Sequence, residues 1–131
     1  MKRELDEKLV KAFPLLYADR GADKRTTAMC WGFSCNDGWF DIIWELSSKL
    51  EPLIQEFAKK HPDVDYYPRA SQVKEKYGGL CFYMTSATDE MWDLIHEAEE
   101  QSCKTCESCG KPGEQRGGGW INTLCDVCSE V

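Results

Sequence analysis

Cysteines near the end of the chain have the types and spacing for metal chemistry. Cys106-Glu-Ser-Cys109 and Cys125-Asp-Val-Cys128 form two Cys-x-x-Cys pairs, separated by the fifteen residues 110–124. Each pair fits a tight turn that aims backbone N–H groups at sulfur, and Gly110 directly follows the first pair. Two such turns facing each other present four thiolates to one tetrahedral ion. Zinc suits that donor set, since it accepts four sulfurs at about 2.3 Å and imposes no further geometry. Four thiolates leave no position open for water or substrate, so the predicted role of the one zinc is structural rather than catalytic. Cys103 lies three residues before Cys106 and makes a Cys103/Cys106 pair the alternative. That pair is followed by Glu107 instead of glycine, which favours Cys106/Cys109.

The elements that would hold this module read as an α+β chain. Leu5, Leu9, Val10 and Phe13 recur at helical spacing and stop at Pro14. A polar loop follows to Thr27, and Met29 to Phe33 reads as a short strand or an ordered loop. Trp39, Ile42, Ile43, Leu46, Leu50, Leu53, Ile54 and Phe57 make a single apolar stripe, predicting one long central helix with a kink, or two collinear pieces, at Pro52. Residues 72–77 and 80–85 read as a β-hairpin turning at Gly78-Gly79, with a third strand from Tyr66 to Arg69. Leu80, Phe82 and Met84 would face the long helix. Thr88-Asp-Glu caps a third helix whose buried stripe is Met91, Leu94, Ile95 and Ala98, with Glu97, Glu99 and Glu100 outward. The predicted organisation is an α+β domain over 1–102 with a zinc ribbon over 103–131 packed on it.

Charge is unevenly placed. Residues 88–131 hold ten acidic and three basic side chains, which accounts for the whole net charge of −7. A phosphate-binding ribbon would need the opposite sign. The ribbon end is therefore expected to meet a basic protein surface, with Glu97, Glu99, Glu100, Glu107 and Glu114 as the contact residues. Tyr66, Tyr67, Arg69, Lys74, Lys76 and Tyr77 interleave aromatic and basic side chains around the hairpin, which makes a nucleic-acid-binding regulator the alternative function.

The remaining cysteines, Cys30, Cys35, Cys81 and Cys103, read as small core residues, although Cys30-x4-Cys35 also has the spacing of a redox or second metal pair. His61 and His96 are far apart and supply no nucleophile–base pair, so no enzyme activity is predicted. Gly117 to Gly119 beside Arg116 read as a flexible loop tip ahead of an anion nest. The charged start of the chain lacks a secretory pattern and no run approaches a membrane span. The expectation is a soluble cytoplasmic protein whose cysteines are reduced.

Asp37-Gly-Trp-Phe, Gln72-Val-Lys-Glu-Lys-Tyr-Gly-Gly-Leu, Phe82-Tyr, Ala98-Glu-Glu-Gln-Ser, Cys106-Glu-Ser-Cys-Gly-Lys-Pro-Gly and Gly119-Trp-Ile-Asn-Thr-Leu-Cys occur in this order. With them the chain, over residues 30–131, resembles a family of small uncharacterised proteins encoded mainly by bacteriophages and prophages. Cys81 departs from that pattern, where a basic residue is expected. The resemblance implies a phage accessory protein with a C-terminal zinc ribbon and brings no activity with it. Such proteins often bind host machinery, inhibitors of host defence among them. The expectation is therefore a non-enzymatic, zinc-stabilised protein that binds a host macromolecule such as a nuclease.

Overall fold

The computed structural model describes residues 1–64 and 66–130. Helix α1 (Arg3–Ala12) carries Glu4 and Asp6 in its first turn and Lys11 in its last, matching the helix dipole. It buries Leu9 and ends before Pro14. The segment after Pro14 lies against helix α2 (Phe40–Lys60), which is continuous through Pro52. Pro52 is tolerated because it and Ser48, whose carbonyl loses its helical donor, both face solvent.

Buried Glu51 of α2 bonds that crossing chain. Its two oxygens accept the Leu15 and Leu16 N–H groups at 2.8 and 2.9 Å. One helical turn away, Ser47 Oγ pairs with the Tyr17 hydroxyl at 2.6 Å. A carboxylate in the core is thus spent on backbone donors that a proline-broken segment would otherwise leave unpaired.

The sheet is small and mixed. Strand β1 (Phe33–Ser34) runs parallel to β2 (Ala70–Lys76), which is antiparallel to β3 (Gly79–Met84). The third strand therefore comes from Phe33–Ser34, and Tyr66 to Arg69 is not a strand. The hairpin also turns one residue earlier than the glycine pair predicts. Lys76 pairs with Gly79, leaving Tyr77 (φ 53°) and Gly78 (φ 81°) as the two turn residues. Two positive φ values give a turn whose twist matches the flanking strands, and Gly79 joins β3.

Strand β3 is one edge of the sheet, β1 being the other. Leu80, Phe82 and Met84 point inward as the alternation predicts. The outward N–H groups of its backbone are taken by helix α3 (Asp89–Ser102). Leu80 N–H donates to Ser102 Oγ at 2.9 Å and Phe82 N–H to Glu99 Oε2 at 3.0 Å. Side chains of α3 thus close an edge that would otherwise be open to pairing. Thr88 caps α3, accepting the Met91 N–H, and α3 lies between the β3 edge and α2. One core joins all these elements around Trp39, Tyr17, Phe82, Met29, Ile43 and Ile95. The ribbon follows with β4 (Glu114–Arg116), β5 (Asn122–Leu124) and the short helix α4 (Asp126–Ser129). No helix among the described residues is long and apolar enough to cross a membrane.

Candidate metal centre

Local chain geometry assembles the four cysteines. The first turn closes on itself: Gly110 N–H donates to the Cys106 carbonyl at 2.9 Å, with Gly110 at φ 83°. Only glycine takes that dihedral cheaply, which explains the residue after Cys109. Cys106 N–H donates to the Lys111 carbonyl at 2.7 Å and Gly113 N–H to Lys104 at 2.9 Å, folding the chain back. The β4–β5 hairpin, in the register Glu114↔Leu124, then delivers Cys125 beside the first turn. Cys125 caps α4, its sulfur accepting the Cys128 N–H at 3.4 Å.

The sulfurs of Cys106, Cys109, Cys125 and Cys128 all lie within 4.8 Å of one another, and Cys109 and Cys125 are 3.7 Å apart. A tetrahedron with metal–sulfur distances near 2.3 Å has edges of about 3.8 Å. The cluster is therefore the right size to hold one metal ion, and its all-thiolate donor set is compatible with a structural zinc. Cys103 is outside the group, its sulfur 3.6 Å from Gln115 Nε2. The Cys106/Cys109 pairing is the one the chain builds.

The electrostatics prepare the thiols unequally. Burial pushes Cys106 up, but the N–H groups of Cys125, Cys109 and Ser108 outweigh it and hold the thiol down to about 6. The Cys128 N–H lowers Cys125. Cys128 is pushed up to about 12 because its thiol is held as a donor by Cys125, Cys106 and Cys109. Without a cation the cluster keeps protons that a metal would displace.

The centre is joined to the rest of the fold by residues of the Asp37-Gly-Trp-Phe segment. Gly38 N–H donates to the Glu107 carbonyl at 2.7 Å, and Trp39 Nε1 to the Thr105 carbonyl at 2.9 Å. A Cβ on Gly38 would collide with the carbonyl oxygens of Cys106 and Glu107. From the other side, Thr123 Oγ1 donates to the carbonyl of Gly78 in the hairpin turn. No local pattern marks this role of Gly38, because its partner Glu107 lies about seventy residues away.

The acidic candidates separate. Glu97 and Glu100 are exposed on α3. Glu99 is half-buried and committed to the Phe82 N–H. Glu107 is not a surface residue: it is 6% exposed, and its Oε2 accepts the Asn36 N–H at 3.0 Å. Burial pushes this carboxyl up, opposed by the Asn36 bond. Glu114 is exposed, with Arg116 3.4 Å away. Asp89, Glu90 and Asp93 are exposed on α3 as well, at helical spacing from Glu97 and Glu100 that is legible in sequence.

Other candidates are occupied locally. The Arg69 guanidinium pairs with Asp19 at 2.7 Å and lies over Tyr66 and Tyr67, so it is not a free phosphate contact. Cys35 is buried and Cys30 half-buried, its thiol donating to the Thr27 carbonyl; Cys81 is half-buried on β3. The His61 ring lies tilted against Phe57, and His96 stacks on Trp92. Trp120 does not cover the metal module: it is 76% exposed, with Nε1 bonded to Asn122 Oδ1.

No family model matches the chain, and neither a curated protein nor a solved structure shows significant similarity to it.

Proposed function

We propose that the chain is a non-enzymatic, zinc-stabilised binding protein that engages a basic protein surface through the exposed face of α3. The observation that carries this reading is the unpaired charge of that face. Asp89, Glu90, Asp93, Glu97 and Glu100 are exposed, and among the described residues none of them is in an ion pair. On α2, by contrast, Glu45 pairs with Lys49 and Glu56 with Lys60. Helix α3 contains no Lys or Arg, so Asp93, Glu97 and Glu100 form a single-sign stripe at spacings of three and four. Such a stripe speeds encounter with a positive partner and repels nucleic acid.

The four-thiolate centre supports a structural use of the metal, because it leaves no coordination position for substrate. A nucleic-acid-handling host protein is the partner class that an acidic stripe would compete for, and resemblance to phage-encoded proteins supports a host target. The second reading, nucleic-acid binding through the hairpin, is favoured only by its exposed tip, where Lys76 Nζ lies 5.7 Å over the Tyr77 ring.

The test is affinity capture from bacterial lysate with wild type and with the triple variant D93K/E97K/E100K. Loss of a specific captured protein in the variant, and in wild type at high salt, is the expected result. Unchanged capture by the variant rejects the acidic-face reading, and a low-salt gel shift with DNA or RNA would install the second.

A further inference from the structure

Where the turn after β1, the hairpin and the ribbon loop meet, the surface forms an open hollow of about 430 Å³. Glu75, Glu107, Asn36, Asn122 and Trp120 are among the residues that line it. Glu107 is 6% exposed; its Oε2 accepts from Asn36, and among the described residues no donor reaches its Oε1. Glu75 gives Oε2 to the Gly78 N–H at 2.8 Å and likewise has no donor on Oε1. No Lys or Arg lines the hollow. Met1 lines it too, and its amine donates to the Cys35 carbonyl at 2.6 Å, which leaves two carboxylates to one ammonium. Trp120 also borders a neighbouring cleft of about 380 Å³ that includes Tyr77.

We propose that this hollow receives an arginine side chain of a partner protein, its guanidinium bonded by Glu75 and Glu107 and stacked on Trp120. The inference deepens the proposed function and rests on it for the source of the arginine, yet it shares no residue with the α3 face. A guanidinium matches the site in three ways. Its donors form a planar fork that two carboxylate oxygens can accept, its charge offsets the excess negative wall, and its flat face stacks on an indole. An ammonium would satisfy the charge without the stacking.

The experiment titrates the full chain, purified with zinc, with N-acetylarginine amide and with its uncharged counterpart N-acetylcitrulline amide. Indole N–H resonances are followed by NMR, W120F identifying the Trp120 signal. The arginine probe should move that signal saturably, with citrulline binding about ten-fold more weakly or worse. E75Q retains an acceptor for Gly78 and should weaken the arginine probe about five-fold. Equal response to both probes, no response to arginine, or an unaffected E75Q overturns the site. Should E75Q fail to fold, the contrast between the probes decides alone. D93K/E97K/E100K should bind the probe like wild type. Capture that ignores this triple variant while the probe still binds would therefore sink the α3 reading and leave the pocket standing.

Discussion

Gly38 and Glu107 are joined backbone to backbone, the Gly38 N–H donating to the Glu107 carbonyl at 2.7 Å across about half the length of the chain. Gly38 stands just before α2 and Glu107 inside the first cysteine turn. The contact is close enough that a Cβ on Gly38 would strike two carbonyl oxygens of that turn. Displacing the metal module should therefore also disturb the start of the central helix. Gly38→Ala should destabilise the protein by about 2–4 kcal/mol, as overpacking against rigid backbone does. It should also weaken metal binding, because the displaced turn holds two ligands. Chemical denaturation and competitive zinc titration measure the two effects; a variant as stable as wild type contradicts the coupling.

Glu51 supplies a second test of how the fold satisfies itself. Its two oxygens serve Leu15 and Leu16 N–H groups in the core. Glu51→Ala should cost about 3 kcal/mol by leaving buried donors unpaired, and Glu51→Gln, which keeps one acceptor, should lose less. Equal stability of the alanine variant in urea denaturation would show that water or rearranged backbone replaces the carboxylate.

Alkaline pH should destabilise the protein through Cys35. Burial pushes its thiol up to about 12 in the folded chain, against an ordinary value of 9.0. A raised folded value means the native state holds its proton longer than the unfolded state. The contribution is complete below pH 9 and is lost as pH rises towards 12, by at most about 1.4 kcal/mol per pH unit. Stability measured from pH 8 to 11 should fall less steeply in Cys35→Ala than in wild type, and parallel curves would refute the assignment.

Metal binding should release protons. Cys128 is held protonated up to about 12 by its neighbouring thiols, while Cys106 is held down to about 6. Zinc requires thiolates, so at pH 7 its binding should expel at least one proton, and apparent affinity should fall on acidification through pH 6. Titration calorimetry in buffers of different ionisation enthalpy counts the protons; zero release would mean the thiols are not the ligands.

The sequence revealed whatever depended on local pattern. The α2 stripe, the Thr88 cap, the inward Leu80, Phe82 and Met84, and the cysteine pairs all follow from spacing within one element or turn. Contacts between distant segments were not legible. Phe33–Ser34 is too short to carry a strand pattern and became β1 only by lying beside Val73 and Lys74. The Tyr77-Gly78 turn was hidden because Gly78-Gly79 offered a cheaper pair of left-handed residues, whereas pairing of Lys76 with Gly79 fixes the register one position earlier. Glu107 looked like one more surface acid, and only its bond to Asn36 reveals a buried one. Trp120 is exposed for the same reason: side-chain type gives a preference for burial, and tertiary neighbours decide it.

Cys106, Cys109, Cys125 and Cys128 are expected to hold one zinc that fixes the ribbon to the domain. Native mass spectrometry of the purified chain with metal analysis tests it most directly. About one zinc per chain is expected, lost in Cys106→Ser and Cys125→Ser and retained in Cys81→Ser and Cys103→Ser. Absence of metal from wild type purified with zinc, or zinc retained at full occupancy and affinity when Cys106 or Cys125 is replaced, would contradict it.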